Sequence, residues 1–296
     1  MAKKRIHITT GCPLGIGPEV VQKALKAQEP EYREIDFTVH ATKAGDYSGA
    51  QVILYEGSPL ERQAKALDAL IESAQTHNAD AIVTGPIQKA SLALVKGGPF
   101  AGQTELCHAH LALDKEPPLM CFTGGPFALG LLTVHLPLRD VAKSIDAPLL
   151  RAKVLRLHDF AQKLSNKKKP KLVVLALNPH AGEGGLLGDE ESRVFEPVIR
   201  RLQNEGFDVI GPRPADGFFA HRRHFESVDA VLASAHDQGL APYKLLSNEA
   251  GVNVTWGLRV LRTSPDHGTA ADIAGKGIAS SASMENAILV ANKLTN

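Results

Sequence analysis

A chain of 296 residues, 44% hydrophobic and 22% charged, has the composition of a folded globular protein near the size at which one core splits into two, and it carries no repeat or low-complexity tract. Its 33 Lys and Arg against 32 Asp and Glu leave a formal charge of +1, which gives no electrostatic footprint for nucleic acid or an anionic membrane. Three scattered cysteines (Cys12, Cys107, Cys121) fit neither a disulfide scaffold nor CxxC metal spacing, and there is no signal-peptide core and no run of about 18 apolar residues, so the expectation is a cytoplasmic protein without a membrane span.

The chain opens with a strand over Arg5–Thr9, the turn "TTGCPLGIGPE" and a helix from about Pro18, where proline in the first turn and Glu19 beside the amide-rich end suit a helix start. The turn has neither the GxGxxG order of a dinucleotide fingerprint nor the GK[ST] ending of a P-loop. A tight strand-to-helix connection therefore outweighs anion or cofactor contact. Phe37–Ala41 reads as a second strand, Glu61–His77 as a helix with small or apolar residues at Ala64, Leu67, Leu70, Ile71 and Ala74, and "ADAIVTGP" as a strand broken at Gly85 and Pro86. Strand and helix patterns then alternate through "LGLLTVHLP", a helix over Ala147–Lys163, "KLVVLALNPHAG", a helix over Glu190–Glu205, "VDAVLASAHDQG" and a last helix over Ser283–Lys293. This order argues for a mostly parallel α/β architecture in two domains.

Polar signatures recur just after the apolar runs: Thr84–Lys89, His135–Asp140, Asn178–Glu183, His236–Lys244 and Arg262–His267. In open α/β sheets such strand ends line the ligand crevice. His135, His180 and His236 are too widely spaced for a zinc finger or an HExxH helix, and read equally as a metal triad gathered from three strand ends or as hydrogen-bonded structural histidines. Lys89, Lys244, Asn253 and Arg262 supply donors near apparent strand ends, and Thr104 in "AGQTEL" supplies a hydroxyl. Each alone reads as a surface residue or ion pair; together they point to an anionic substrate. His108 and His110 stand two apart in an apparent helix and so diverge.

The ordered segments "GIGPE", "AIVTGPIQKA", "GQTE", "TVHLPLRD", "LNPHAGEGG", "GPRPAD", "AHDQGLAPYK", "GVNVTWGL" and "RTSPDHGTAADIAGKG" span nearly the whole chain, and in them the sequence resembles the 4-hydroxythreonine-4-phosphate dehydrogenase family of pyridoxal phosphate biosynthesis. The resemblance implies a two-domain α/β/α architecture like that of isocitrate and isopropylmalate dehydrogenases. It implies a homodimer with the active site near the dimer interface, and NAD (or NADP) binding without the usual Rossmann fingerprint. The expected domains are 1–100 plus 258–296, and 101–257, with a metal site in the interdomain cleft. By position, His135, His180 and His236 match the family's ligands for one divalent ion (zinc, magnesium, manganese or cobalt), and Thr104, Lys244, Asn253 and Arg262 match its substrate-contacting residues. Asp216, with Lys244, matches residues near the reacting centre, where it would orient donors or handle protons. Three departures stand out. Gln103 replaces the histidine of the usual "GHTE", and it can donate a hydrogen bond but cannot titrate near pH 7. Cys12 stands where an acidic residue is common, and the segment between Tyr47 and Glu61 is short for the family.

The expected reaction is NAD-dependent oxidation of 4-phosphooxy-L-threonine to 2-amino-3-oxo-4-phosphooxybutanoate, which loses carbon dioxide to give 3-amino-2-oxopropyl phosphate. The runner-up keeps the chemistry but takes a four-carbon sugar-acid phosphate, threonate or erythronate 4-phosphate. A metal-dependent hydrolase and a non-catalytic phosphometabolite-binding protein are the readings from other classes.

Overall fold

The computed structural model describes residues 3–27, 30–88, 93, 102–248 and 250–295. The chain divides into two compact units, Met1–Lys115 with Glu249–Asn296, and Glu116–Asn248. The sequence placed the crossings near 100 and 257 instead. They lie elsewhere because Cys107 and Leu111 are fully buried in one cluster with Leu70 and Ile82, and because the strand Val252–Trp256 pairs with Leu261–Pro265.

In the first unit, strand β1 (Lys4–Thr9) leads through the glycine turn into helix α1 (Gly17–Lys26), followed by strands β2 (Ile35–Ala41) and β3 (Gln51–Leu54), helix α2 (Pro59–Gln75), strand β4 (Ala81–Thr84) and helix α3 (Gln103–Leu111). Helix α2 starts two residues before the expected Glu61 because Ser58 caps it: Ser58 Oγ accepts the Glu61 N–H while the Glu61 carboxylate accepts the Ser58 N–H. The glycines of the first turn serve backbone approach, as the plainer reading of that motif held. A side chain at Gly11 would run into the Pro86 carbonyl and one at Gly17 into the Thr10 carbonyl, so these loops pack main chain on main chain.

The second unit contains strands β5 (Leu119–Thr123) and β6 (Ala128–Leu131), helices α4 (Leu138–Ser144) and α5 (Ala147–Ser165), strand β7 (Leu172–Leu175), helix α6 (Glu196–Asn204), strand β8 (Val209–Arg213), helices α7 (Ala215–Phe219) and α8 (Arg222–Glu226), strand β9 (Ala230–Ala233) and helix α9 (His236–Ser247). The expected helix over Glu190–Glu205 is a single π-type turn, Glu191–Phe195, that runs into α6. The chain then returns to the first unit as strands β10 (Val252–Trp256) and β11 (Leu261–Pro265) and helix α10 (Ala282–Leu294).

Within the first unit the strand order is β3-β2-β1-β4-β11-β10, parallel except for the antiparallel β10–β11 pair; within the second it is β5-β6-β9-β7-β8, parallel except for β5–β6. Parallel strands covered on both faces need near-continuous apolar sequence, and β4, β6, β7 and β9 are buried at every position. The core of the second unit gathers Phe122, Phe127, Leu129, Val231, Phe225 and the fully buried Tyr243. Each such side chain contributes about 1.5–3 kcal/mol. Tyr243 also fixes α9, since its hydroxyl accepts the Gly125 N–H at 3.0 Å and its ring meets Phe127 edge-on at 5.6 Å. Among the described residues no helix is long and apolar enough to cross a membrane.

Candidate active site

The first unit builds a cationic site from its sheet register. Arg262 on β11 pairs with Ile82 of β4 and with Thr255 of β10, and Thr84 lies two residues beyond Ile82, on the same face. All three side chains therefore converge. Arg262 Nε and Nη2 donate to Thr84 Oγ1 at 2.9 and 2.6 Å, and Nη1 donates to Thr255 Oγ1 at 3.2 Å and, at 3.4 Å, to Thr104 Oγ1 in the first turn of α3. Arg262 thus sits inside a strand with 4% exposure, whereas the sequence had placed it at a strand end. Burial pulls its pKa down, against Cys107 and Glu105, which raise it. Guanidinium stays charged in proteins, so the hydroxyls fix the fork in place without neutralising it.

Two buried acceptors flank this arrangement. Gln103 Nε2 donates to the Gly85 carbonyl at 3.0 Å, and among the described residues neither Gln103 Oε1 nor Asn253 Oδ1 on β10, both buried, has a hydrogen-bond partner. An orphaned buried polar atom costs about 1–3 kcal/mol and calls for a partner from outside the chain. Thr84 and Thr255 are the residues that sequence reasoning missed as guanidinium holders. Their signal was a threonine among apolar residues in "AIVT" and "VNVTW". Lys89 lies outside the described residues.

In the second unit, the segments after β6, β9 and β7 are tied together. Thr133 Oγ1 donates to the Ser234 carbonyl at 2.7 Å, Ser234 Oγ to the Leu175 carbonyl at 3.0 Å, and Gln238 Nε2 to the Ala176 carbonyl at 2.6 Å. This bracing brings His135, in a left-handed backbone conformation (φ 45°), beside His236 at the start of α9, with ring centroids 5.8 Å apart. His236 Nδ1 lies 2.8 Å from Asp237 Oδ1, an arrangement that orients the ring and leaves Nε2 available.

His180 sits apart in character. It opens a run of six residues with positive φ, from His180 to Gly185, on an exposed turn. The turn is anchored by the buried carboxylate of Glu191, which accepts the Leu177 and Asn178 N–H groups at 2.9 and 2.8 Å and Asn178 Nδ2 at 2.9 Å. Among the described residues no group of three His, Cys, Asp or Glu is placed to hold a metal ion. The His135–His236 pair suits a divalent metal in its donor chemistry; the third ligand does not join it within one chain. Asp216 is exposed in the first turn of α7, and Lys244 is exposed two turns along α9 from His236, on a helix where the sequence suggested a strand end.

The sequence profile of the family described as pyridoxal phosphate biosynthetic protein PdxA matches residues 18–291. The chain belongs to that family. Among its PdxA-family relatives, a 4-hydroxythreonine-4-phosphate dehydrogenase of Chromobacterium violaceum is 38% identical over 322 aligned residues, covering 98% of this chain and 96% of the relative. The enzyme of that name from Paracoccus denitrificans is 37% identical, covering 98% and 97%. Of solved structures, the 4-hydroxythreonine-4-phosphate dehydrogenase of Klebsiella pneumoniae superposes with a TM-score of 0.80 at 28% identity, covering 99% of both chains. An isocitrate dehydrogenase from Methylococcus capsulatus, at 15% identity and a TM-score of 0.53 over 97% of this chain and 84% of that one, shares the fold. The expected α/β fold of this PdxA-family chain is therefore the one observed.

Proposed function

We propose that this PdxA-family chain is an NAD-dependent dehydrogenase that oxidises the C3 hydroxyl of 4-phosphooxy-L-threonine. The hydroxyl loses its proton and C3 gives a hydride to NAD, yielding 2-amino-3-oxo-4-phosphooxybutanoate and NADH. This β-keto acid then releases carbon dioxide to form 3-amino-2-oxopropyl phosphate. The observation that carries the reading is Arg262: a buried guanidinium held, among the described residues, by threonine hydroxyls, beside two acceptors without a partner among those residues, matches a substrate that brings both an anion and hydrogen-bond donors. Arg262 and Thr104 bind the acidic part, Asn253 Oδ1 and Gln103 Oε1 accept from the substrate's hydroxyl or ammonium, and Lys244 adds a point charge. Asp216 orients donors or takes up a proton.

A divalent ion held by His135, His180 and His236 would supply Lewis acidity toward the alcohol. His135 and His236 stand ready as a pair, and in a homodimer His180 of one copy would complete the set on the other. The exposed leucines that accompany these segments, Leu136 and Leu138 after His135, Leu186 and Leu187 after His180, and Leu245 beside Lys244, support a covered face there. Gln103 opens a second reading, in which the substrate is threonate or erythronate 4-phosphate, because its neutral amide oxygen can accept from a hydroxyl in place of an ammonium.

The test is NADH absorbance with a substrate panel, NAD or NADP, and several divalent ions. Turnover of 4-phosphooxy-L-threonine supports the first reading, and exclusive turnover of the sugar acids supports the second. Phosphate release without NADH formation would replace both with a hydrolase.

A further inference from the structure

A cavity of about 400 Å³ opens in the second unit between the outer strands β7 and β8 and the short helices α7 and α8. Its floor is apolar: Val173 and Ile210, which are neighbours across the parallel β7–β8 pair, with Phe218 and Val228. Around this floor stand Lys171, Arg213, Arg223, His224 and Ser227, and none of the eleven lining residues is acidic. Of the three carboxylates next in sequence to the lining, Asp216 and Glu226 are exposed, and Asp229 is engaged by Lys167 Nζ at 2.6 Å and by the Lys171 N–H at 2.9 Å. Among the described residues no carboxylate pairs with the Lys171, Arg213 or Arg223 side chain. His224 Nδ1 lies 3.0 Å from the Gly217 carbonyl, a contact that orients the ring.

Three cations grouped over an apolar floor repel one another, and they form the complement of one particular ligand shape, a compact multiple anion joined to an apolar body. We propose that this cavity binds a phosphate monoester with an aromatic or aliphatic body. The Arg213 and Arg223 forks and the Lys171 ammonium take the phosphoryl oxygens, Ser227 and His224 Nε2 meet a hydroxyl, and the body covers Val173, Ile210, Phe218 and Val228. The cavity lies wholly within the second unit and shares no residue with the three histidines, Asp216 or Lys244. Asp216 stands next to the lining on α7, so a ligand held here is told from the substrate by the Arg262→Met background.

Phenyl phosphate is the probe, titrated into the full chain by calorimetry and by amide chemical shift. Arg262→Met serves as the background that removes the cationic site of the first unit. Saturable binding should persist in that background. Inorganic phosphate should bind about tenfold or more weakly than the ester, since it leaves the floor uncovered. Adding Arg213→Glu and Arg223→Glu should weaken the ester about tenfold or more while melting temperature and NADH production in the otherwise native chain are kept. Arg223→Gln and Lys171→Gln, made singly, repeat the test if the charge reversals unfold the chain, each with roughly threefold weaker binding. Equal binding in native and rim-substituted chains, loss of all binding in Arg262→Met alone, or inorganic phosphate binding as tightly as the ester would each overturn the proposal.

Discussion

The cationic centre of the first unit and the histidines of the second solve the same problem, holding polar groups in place, in opposite ways. Arg262 projects from a central strand, pinned by Thr84 and Thr255, whose positions are set by sheet register, and by Thr104 of α3, so its geometry belongs to the core. His135, His180 and His236 stand on the segments that follow the strands. Two of them meet, and the third waits on a separately anchored turn. A buried fork is assembled by folding; an exposed donor set is assembled by what binds to it.

Removing the fork tests that contrast most severely. Arg262→Met keeps apolar bulk in the strand and should lower kcat/KM roughly a hundredfold or more through lost charge-assisted hydrogen bonds, while the melting temperature stays within a few degrees because a desolvated cation has gone with them. Collapse of the fold in circular dichroism would mean that Arg262 serves stability first.

Alanine at His135, His180 or His236 should weaken metal retention about 10–100-fold, read as metal per chain after dialysis, with little change in melting temperature. Mixing His135→Ala with His180→Ala sharpens the point: a set shared between copies restores part of the metal content in mixed dimers. Unchanged metal content in all three variants would dissolve the proposed set.

Gln103→His should shift the preference between 4-phosphooxy-L-threonine and the sugar-acid phosphates by about tenfold in kcat/KM and leave metal content alone. A change in metal content instead would break the separation between the two regions.

The smallest effect on activity is the response to acid. His40 is buried between β1 and β3 contacts, with His7 Nδ1 3.1 Å from its Nε2 and the Tyr55 hydroxyl 2.8 Å from its Nδ1, and burial, with His7, pulls its pKa to about 4. Between the unfolded value near 6.5 and about 4 the unfolded chain binds the extra proton, so stability is full above that window and falls as pH drops through it. Thermal melts from pH 7 to pH 4 should lose several degrees, and His40→Gln should flatten the slope. An unaltered slope would remove His40 from the account.

Much of this was legible beforehand. The buried strands β4, β6, β7 and β9 are apolar runs that end in turn residues, and every histidine segment follows one of them. Arg262 was misplaced because "LRTSP" hides three polar residues in a buried strand, where Arg262 is satisfied by threonines across the sheet and Thr263 Oγ1 donates to the Ala287 carbonyl of a neighbouring helix at 2.8 Å. Strand β3 gave no signal, since all four of its residues are exposed and no face alternates. His236 and Lys244 read as strand-end residues, yet α9 begins at once and carries Pro242 inside it. The meeting of His135 with His236 joins segments far apart in the chain, which no local pattern encodes.

The turn that bears His180 winds with the wrong hand. From His180 to Gly184 the backbone follows a left-handed path, and three of those residues, His180, Ala181 and Glu183, carry an L side chain that crowds the following carbonyl. At about 1–2 kcal/mol for each of them, the segment holds several kcal/mol that any return to ordinary handedness would release. A D-alanine at position 181 would rest there without strain. In the natural chain this tension is carried by the segment that opens on His180, a candidate ligand.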